Sequence, residues 1–71
     1  MQTFTAVIHR EEDMFVAECP EVGTASQGAT IEGALANLKE ATQLYLDEFP
    51  SDLKPARSFV TTFEVAEIAG T

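Results

Sequence analysis

Thr30-Ile31-Glu32-Gly33-Ala34-Leu35-Ala36-Asn37-Leu38-Lys39-Glu40-Ala41-Thr42-Gln43-Leu44-Tyr45-Leu46-Asp47-Glu48-Phe49 is the stretch that decides the fold. At a helical period of about 3.6 residues, Ile31, Ala34, Leu35, Leu38, Ala41, Thr42, Tyr45, Leu46 and Phe49 fall on one side, with Glu32, Asn37, Lys39, Glu40, Gln43, Asp47 and Glu48 opposite. Leu44 is a lone apolar residue on the polar side. Thr30 suits the N-cap, and Glu32 puts a negative charge at the positive end of the helix dipole. Gly33 stands where a capping box would place Glu or Gln. Pro50 lacks an N–H and biases Phe49 away from helical geometry, so the helix stops there. One helix cannot hide its own apolar stripe, and the other apolar segments are strand-like. The predicted fold is a sheet laid against a single helix.

Working outward, residues 3–9 alternate and are rich in β-formers, which predicts a first strand. Arg10, Glu11, Glu12 and Asp13 read as a charged turn, and residues 14–19 restore the strand pattern to complete a hairpin. Pro20 ends the second strand, residues 21–23 turn the chain, and residues 24–27 form a short third strand of small and polar residues. After the helix, residues 50–57 are a connector containing two prolines. Residues 58–68 alternate again, with Phe59, Thr61, Phe63 and Val65 on one side and Val60, Thr62, Glu64 and Ala66 on the other. This predicts a fourth strand, the longest and most apolar. The expected class is α+β, with element order strand-strand-strand-helix-strand. Three strands in an antiparallel meander, followed by a right-handed helical crossover, return the fourth strand parallel to the first. The expected sheet is mixed, four-stranded and ordered 3-2-1-4, with the helix on one face.

Seventy-one residues make one domain, residues 1–71, with a stability of roughly 4 to 10 kcal/mol. Twelve acidic residues against four basic ones give a net charge of −8, which repels phosphate backbones and anionic lipid and suits a basic protein partner. The lone Cys19 cannot form an intramolecular disulfide, and no leader or long apolar run precedes the first strand. A soluble, cytoplasmic protein is expected, with no membrane contact and no direct nucleic-acid binding.

Residues that carry chemistry are sparse. His9 and Cys19 are single and cannot make a His/Cys metal site, so both are read as structural. Glu11, Glu12 and Asp13 lack the glycine and the distant bidentate Glu of a calcium loop. Gly28 and Gly33 do not make a phosphate loop, and no nucleophile is paired with a histidine by any motif. The reading is of a non-enzyme with no catalytic residue, no metal and no cofactor.

Phe4-Thr5-Ala6-Val7-Ile8, the acidic turn, Phe15-Val16-Ala17-Glu18-Cys19-Pro20-Glu21-Val22-Gly23, and Ser26-Gln27-Gly28-Ala29-Thr30-Ile31 running into Ala34-Leu35-Ala36-Asn37-Leu38-Lys39-Glu40-Ala41 together resemble the HicB family of antitoxins. The resemblance covers about the first fifty residues and is to the short, single-domain form without a DNA-binding tail. It implies a partly degraded RNase H-like fold, without nuclease activity, that binds and inhibits a small, basic, HicA-like mRNA-cleaving toxin. Two-metal nuclease chemistry needs converging carboxylates, usually with one on the central strand, and the expected first strand has none. The alternative function is a stand-alone protein-interaction or scaffolding domain of the same fold with no toxin partner.

Glu11, Glu12, Asp13, Glu18, Glu21 and Glu40 are the candidate partner-binding residues, since an acid excess steers and orients a basic partner. Counting faces adds a second expectation. The helix covers one side of the sheet, and the reverse side then shows Thr5, Val7, Met14, Val16, Val60 and Thr62, beside an open fourth-strand edge. A homodimer or higher oligomer is expected, with Thr5, Val7, Val16, Val60 and Thr62 as its interface.

Overall fold

A computed structural model describes residues 2–50 and 59–67. Strand β1 (Val7–Glu11) pairs antiparallel with β2 (Met14–Cys19), and β2 pairs antiparallel with β3 (Thr24–Gly28). The three form one sheet of order β1-β2-β3 and lead into helix α1 (Ile31–Glu48). The architecture is α+β: one antiparallel sheet with one helix on it. The first strand lies later in the chain than residues 3–9. Glu11 stands opposite Met14, so the hairpin closes on only Glu12 and Asp13, and Arg10 and Glu11 belong to the strand instead of the turn.

The register sets the two faces. Ile8 opposite Ala17 opposite Ser26 puts these residues, with Phe15, Cys19, Thr24 and Gly28, on the helix side. Val7, His9, Glu11, Met14, Val16, Glu18, Ala25 and Gln27 share the open side. Val7, Met14 and Val16 therefore lie on the expected reverse face. That face is more polar than expected, because His9, Glu11, Glu18 and Gln27 interleave with them.

The core is small. Ala17, Cys19, Ala34 and Leu38 are buried, with Phe4, Ile8, Phe15 and Val22 packed partly against them. Gly28 makes the close approach of helix and sheet possible: a Cβ there would lie 2.6 Å from the Ala34 backbone nitrogen and 2.8 Å from the Gly33 carbonyl carbon. The Thr30 hydroxyl caps the helix by accepting from the Gly33 N–H at 2.9 Å. Asn37 Nδ2 donates to the Gln27 carbonyl at 2.8 Å, and the Thr24 and Thr42 hydroxyls bond at 2.7 Å. These contacts tie α1 to β3, and the helix lies over β3 and β2. At the far end the Phe49 N–H donates to the Tyr45 carbonyl at 2.8 Å, and the two rings pack at a tilt of 37° with centroids 4.9 Å apart.

The expected fourth strand is corrected. Residues 59–67 have no strand pairing, and all nine are exposed; positions 58 and 68 of that expected strand fall outside the described residues. The order 3-2-1 therefore stands without a fourth member among the described residues. The chain measures 49 × 28 × 16 Å with a radius of gyration of 14.8 Å, against roughly 11 Å for a compact domain of this length. The helix shows the same shortfall. Ala34, Leu38 and Thr42 of its stripe are buried, while Ile31, Leu35 and Phe49 remain about half exposed, because three strands do not reach far enough to cover them.

Candidate functional site

Two surfaces stand out, and the first is the hairpin tip. A two-residue loop confines Glu12 and Asp13, and Glu12 takes φ 54°, in the left-handed region that favours glycine. A glutamate held there costs of order 1 kcal/mol. Basic neighbours support the turn: Arg10 Nε donates to the Glu12 carbonyl at 3.3 Å, and its guanidinium lies over the Phe15 ring at 5.9 Å. His9 Nε2 meets Glu11 Oε2 at 2.6 Å on the open face. Glu11, Glu12 and Asp13 are thus presented together, exposed, at one end of the sheet.

The six candidate acids do not share one surface. Glu18 lies on the open face opposite Val7, toward the other end of the hairpin. Glu40 is exposed on α1, in the other layer. Glu21 is half-buried and already engaged: it accepts the Thr5 N–H at 2.9 Å and the Thr5 hydroxyl at 2.6 Å. These bonds to Thr5 hold the Glu21 carboxyl down at about 2. Cys19 Sγ lies 3.5 Å from Glu21 Oε1, and burial pushes the thiol up, which keeps it a structural residue. The Glu21 clamp fixes residues 2–6 beside the helix, an arrangement that the sequence reading missed. The only sequence signal was a carboxylate just after the strand-ending Pro20.

That arrangement creates the second surface. A groove of about 800 Å³ runs between Phe4, Thr5 and Ala6 on one wall and Leu35, Leu38, Thr42 and Leu46 on the other, with Cys19 between them. Polar side chains of Glu32, Lys39, Gln43 and Asp47 also line it. Of the expected interface residues, Val7 and Val16 lie on the open face, Thr5 turns to Glu21 and the groove, and Val60 and Thr62 lie in the exposed segment 59–67. The structure does not bring these five onto a single face. Among the described residues there is no group of three or more His, Cys, Asp or Glu positioned to hold a metal ion, and no helix is long and apolar enough to cross a membrane.

A protein of Helicobacter pylori strain J99 named as a UPF0150 protein is 38% identical to this chain over 66 residues, which take in 86% of this chain and 92% of the relative. The chain belongs to the UPF0150 family. No family profile matches it, and no solved structure does. A UPF0150 name states neither a reaction nor a partner, so the function of this member has to be argued from its two surfaces: an acidic, strained hairpin tip and an apolar groove.

Proposed function

We propose that this UPF0150 protein is the antitoxin of a type II toxin-antitoxin system, which binds and inhibits a small, basic, HicA-like mRNA-cleaving toxin in the cytoplasm. The observation that carries the reading is a net charge of −8 on 71 residues, three of its acids being displayed at the exposed tip of the hairpin, Glu11 at the end of β1 and Glu12 and Asp13 in its two-residue loop. A ribonuclease surface that holds RNA phosphates is basic, and an acidic tip of fixed geometry competes for that surface while speeding encounter. Glu11, Glu12, Asp13 and Glu18 supply the contacts, whereas Glu40 and Glu21 contribute mainly to the field. The family membership and the residue-by-residue resemblance to HicB over about the first fifty positions support the same reading. The finer fold goes with it: RNase H-like, with no catalysis of its own, and with a sheet that reaches order 3-2-1-4 only when a segment 59–67, unpaired in the single copy, adds to the free edge of β1. The same charge opposes binding of the isolated chain to DNA or RNA.

The test is an RNA-cleavage assay with a small, basic, HicA-like ribonuclease as the target. One equivalent of the protein is expected to abolish cleavage, with an association rate that falls at least about tenfold from low to physiological salt. The variant E11Q/E12Q/D13N should lose most of that salt dependence. Full toxin activity at one equivalent would overturn the antitoxin reading and leave a protein-interaction domain.

A further inference from the structure

We propose that residues 59–67 of one copy fill the groove of a second copy, so that the sheet of each protomer is completed by strand exchange. The first observation is the segment itself. Phe59, Val60, Phe63 and Val65 are 94, 67, 85 and 77% exposed in a single copy, which is more contiguous apolar surface than a short exposed segment ordinarily leaves to water. The second is the groove, which no strand of the sheet fills among the described residues and into which α1 carries Leu35 about half exposed. The third is the backbone beside it. β1 is an edge of the sheet, and residues 2–6, which form one groove wall, carry no strand pairing. An edge with free N–H and C=O groups next to an apolar trough is the acceptor for an added strand.

The segment matches this acceptor in chemistry. Placed along β1, the alternation turns Phe59, Thr61, Phe63 and Val65 toward α1 and Val60, Thr62, Glu64 and Ala66 toward the open face, which mixes apolar and charged residues in the same way. Among the described residues, segment and trough both stay open in one copy, and reciprocal exchange satisfies both at once. The area suffices: four phenylalanine rings, two from each copy, bury about 150–250 Å² apiece. With the valines and the groove walls the total exceeds the roughly 1,200 Å² of a stable interface. Each copy carries −8, so exchange works against repulsion, and the dimer tightens as salt is added. A complex with a basic toxin responds in the opposite sense, which separates this proposal from the antitoxin reading, on which it does not depend.

The experiment uses the full chain. Sedimentation equilibrium over a concentration series in low and high salt gives the mass, and nuclear Overhauser spectra filtered for contacts between isotope-labelled and unlabelled copies locate the interface. A dimer is expected, with contacts from the Phe59 and Phe63 rings of one copy to the Leu35 and Leu38 methyls of the other. F59D/F63D should raise the dissociation constant at least about 100-fold while retaining the helical circular dichroism. The proposal is overturned by a monomer in high salt, whether its own segment closes on its own groove or stays open. It is equally overturned by a dimer whose intermolecular contacts lie only on the open face. Should the double variant fail to fold, the filtered spectra of the unaltered protein decide alone.

Discussion

Strand β2 and residues 59–67 have almost the same sequence character and opposite fates. Met14-Phe15-Val16-Ala17-Glu18-Cys19 alternates, and so does Phe59-Val60-Thr61-Thr62-Phe63-Glu64-Val65. The first has a strand on each side and α1 above it, and Ala17 and Cys19 are buried. The second has neither, and its phenylalanines stand in solvent. Alternation confers the capacity to be a strand; only a partner edge and a covered face make one. The half-exposed Leu35 on α1 is the other side of the same deficit: the helix stripe is as wide as four strands would need, and three are beneath it.

The sharpest way to break this comparison is to truncate one large apolar side chain in each region. Leu38 is 4% exposed and is the largest member of the buried cluster. Leu38→Ala should cost about 2–5 kcal/mol, a large share of the roughly 4–10 kcal/mol of a domain this size. Phe63→Ala, at an 85% exposed position, should change the stability of dilute monomer by less than about 0.5 kcal/mol. Urea titrations at low micromolar concentration measure both. Equal losses would mean that residues 59–67 belong to the core of the single chain, and the contrast between the regions would disappear.

A smaller effect probes how closely the well-packed region is built. Gly28→Ala places a methyl 2.6 Å from the Ala34 backbone nitrogen, and neither wall is a flexible side chain that can swing away. The helix must move off β3 and stretch the Asn37–Gln27 bond, at a cost of about 1–3 kcal/mol. Thermal melting of the variant checks this. An unchanged midpoint would show that the helix and sheet are not held at the observed distance.

The sequence disclosed what is set by local rules. Thr30 as cap, the helix stop at Pro50, the second strand at residues 14–19 and the placing of Val7, Met14 and Val16 on the face away from the helix all follow from periodicity and capping chemistry. The first strand was misplaced because Arg10 and Glu11 look like turn residues, whereas a two-residue loop draws them into the ladder with their side chains in solvent. The fourth strand was read from a pattern that cannot say whether an edge is available to it. The groove was invisible because it depends on Glu21 reaching Thr5 sixteen residues away. No spacing rule encodes that contact. Of the six candidate acids, only the adjacent three at the turn were certain to be neighbours, since adjacency in sequence is itself proximity.

The smallest expected effect concerns that clamp, which holds the wall of the groove in place. Glu21 accepts two hydrogen bonds from Thr5 as a carboxylate, and its folded value of about 2 lies below the ordinary 4.5. A depressed carboxyl stabilises the folded arrangement fully above pH 4.5, and the contribution is lost as pH falls toward 2. Protonation leaves one oxygen a donor, and it can no longer accept from both the Thr5 N–H and its hydroxyl with full charge assistance. Residues 2–6 should therefore loosen on acidification while the β2–β3 ladder and the Thr24–Thr42 and Asn37–Gln27 bonds, which involve no carboxylate, persist. In an NMR titration, the Thr5 amide shift is expected to move with a midpoint near 2 and not near 4.5. Glu21→Gln should abolish that titration and leave the Thr5 amide exchanging faster with solvent at neutral pH. A Thr5 midpoint near 4.5 would remove the clamp, and with it the reason that the groove has a fixed second wall.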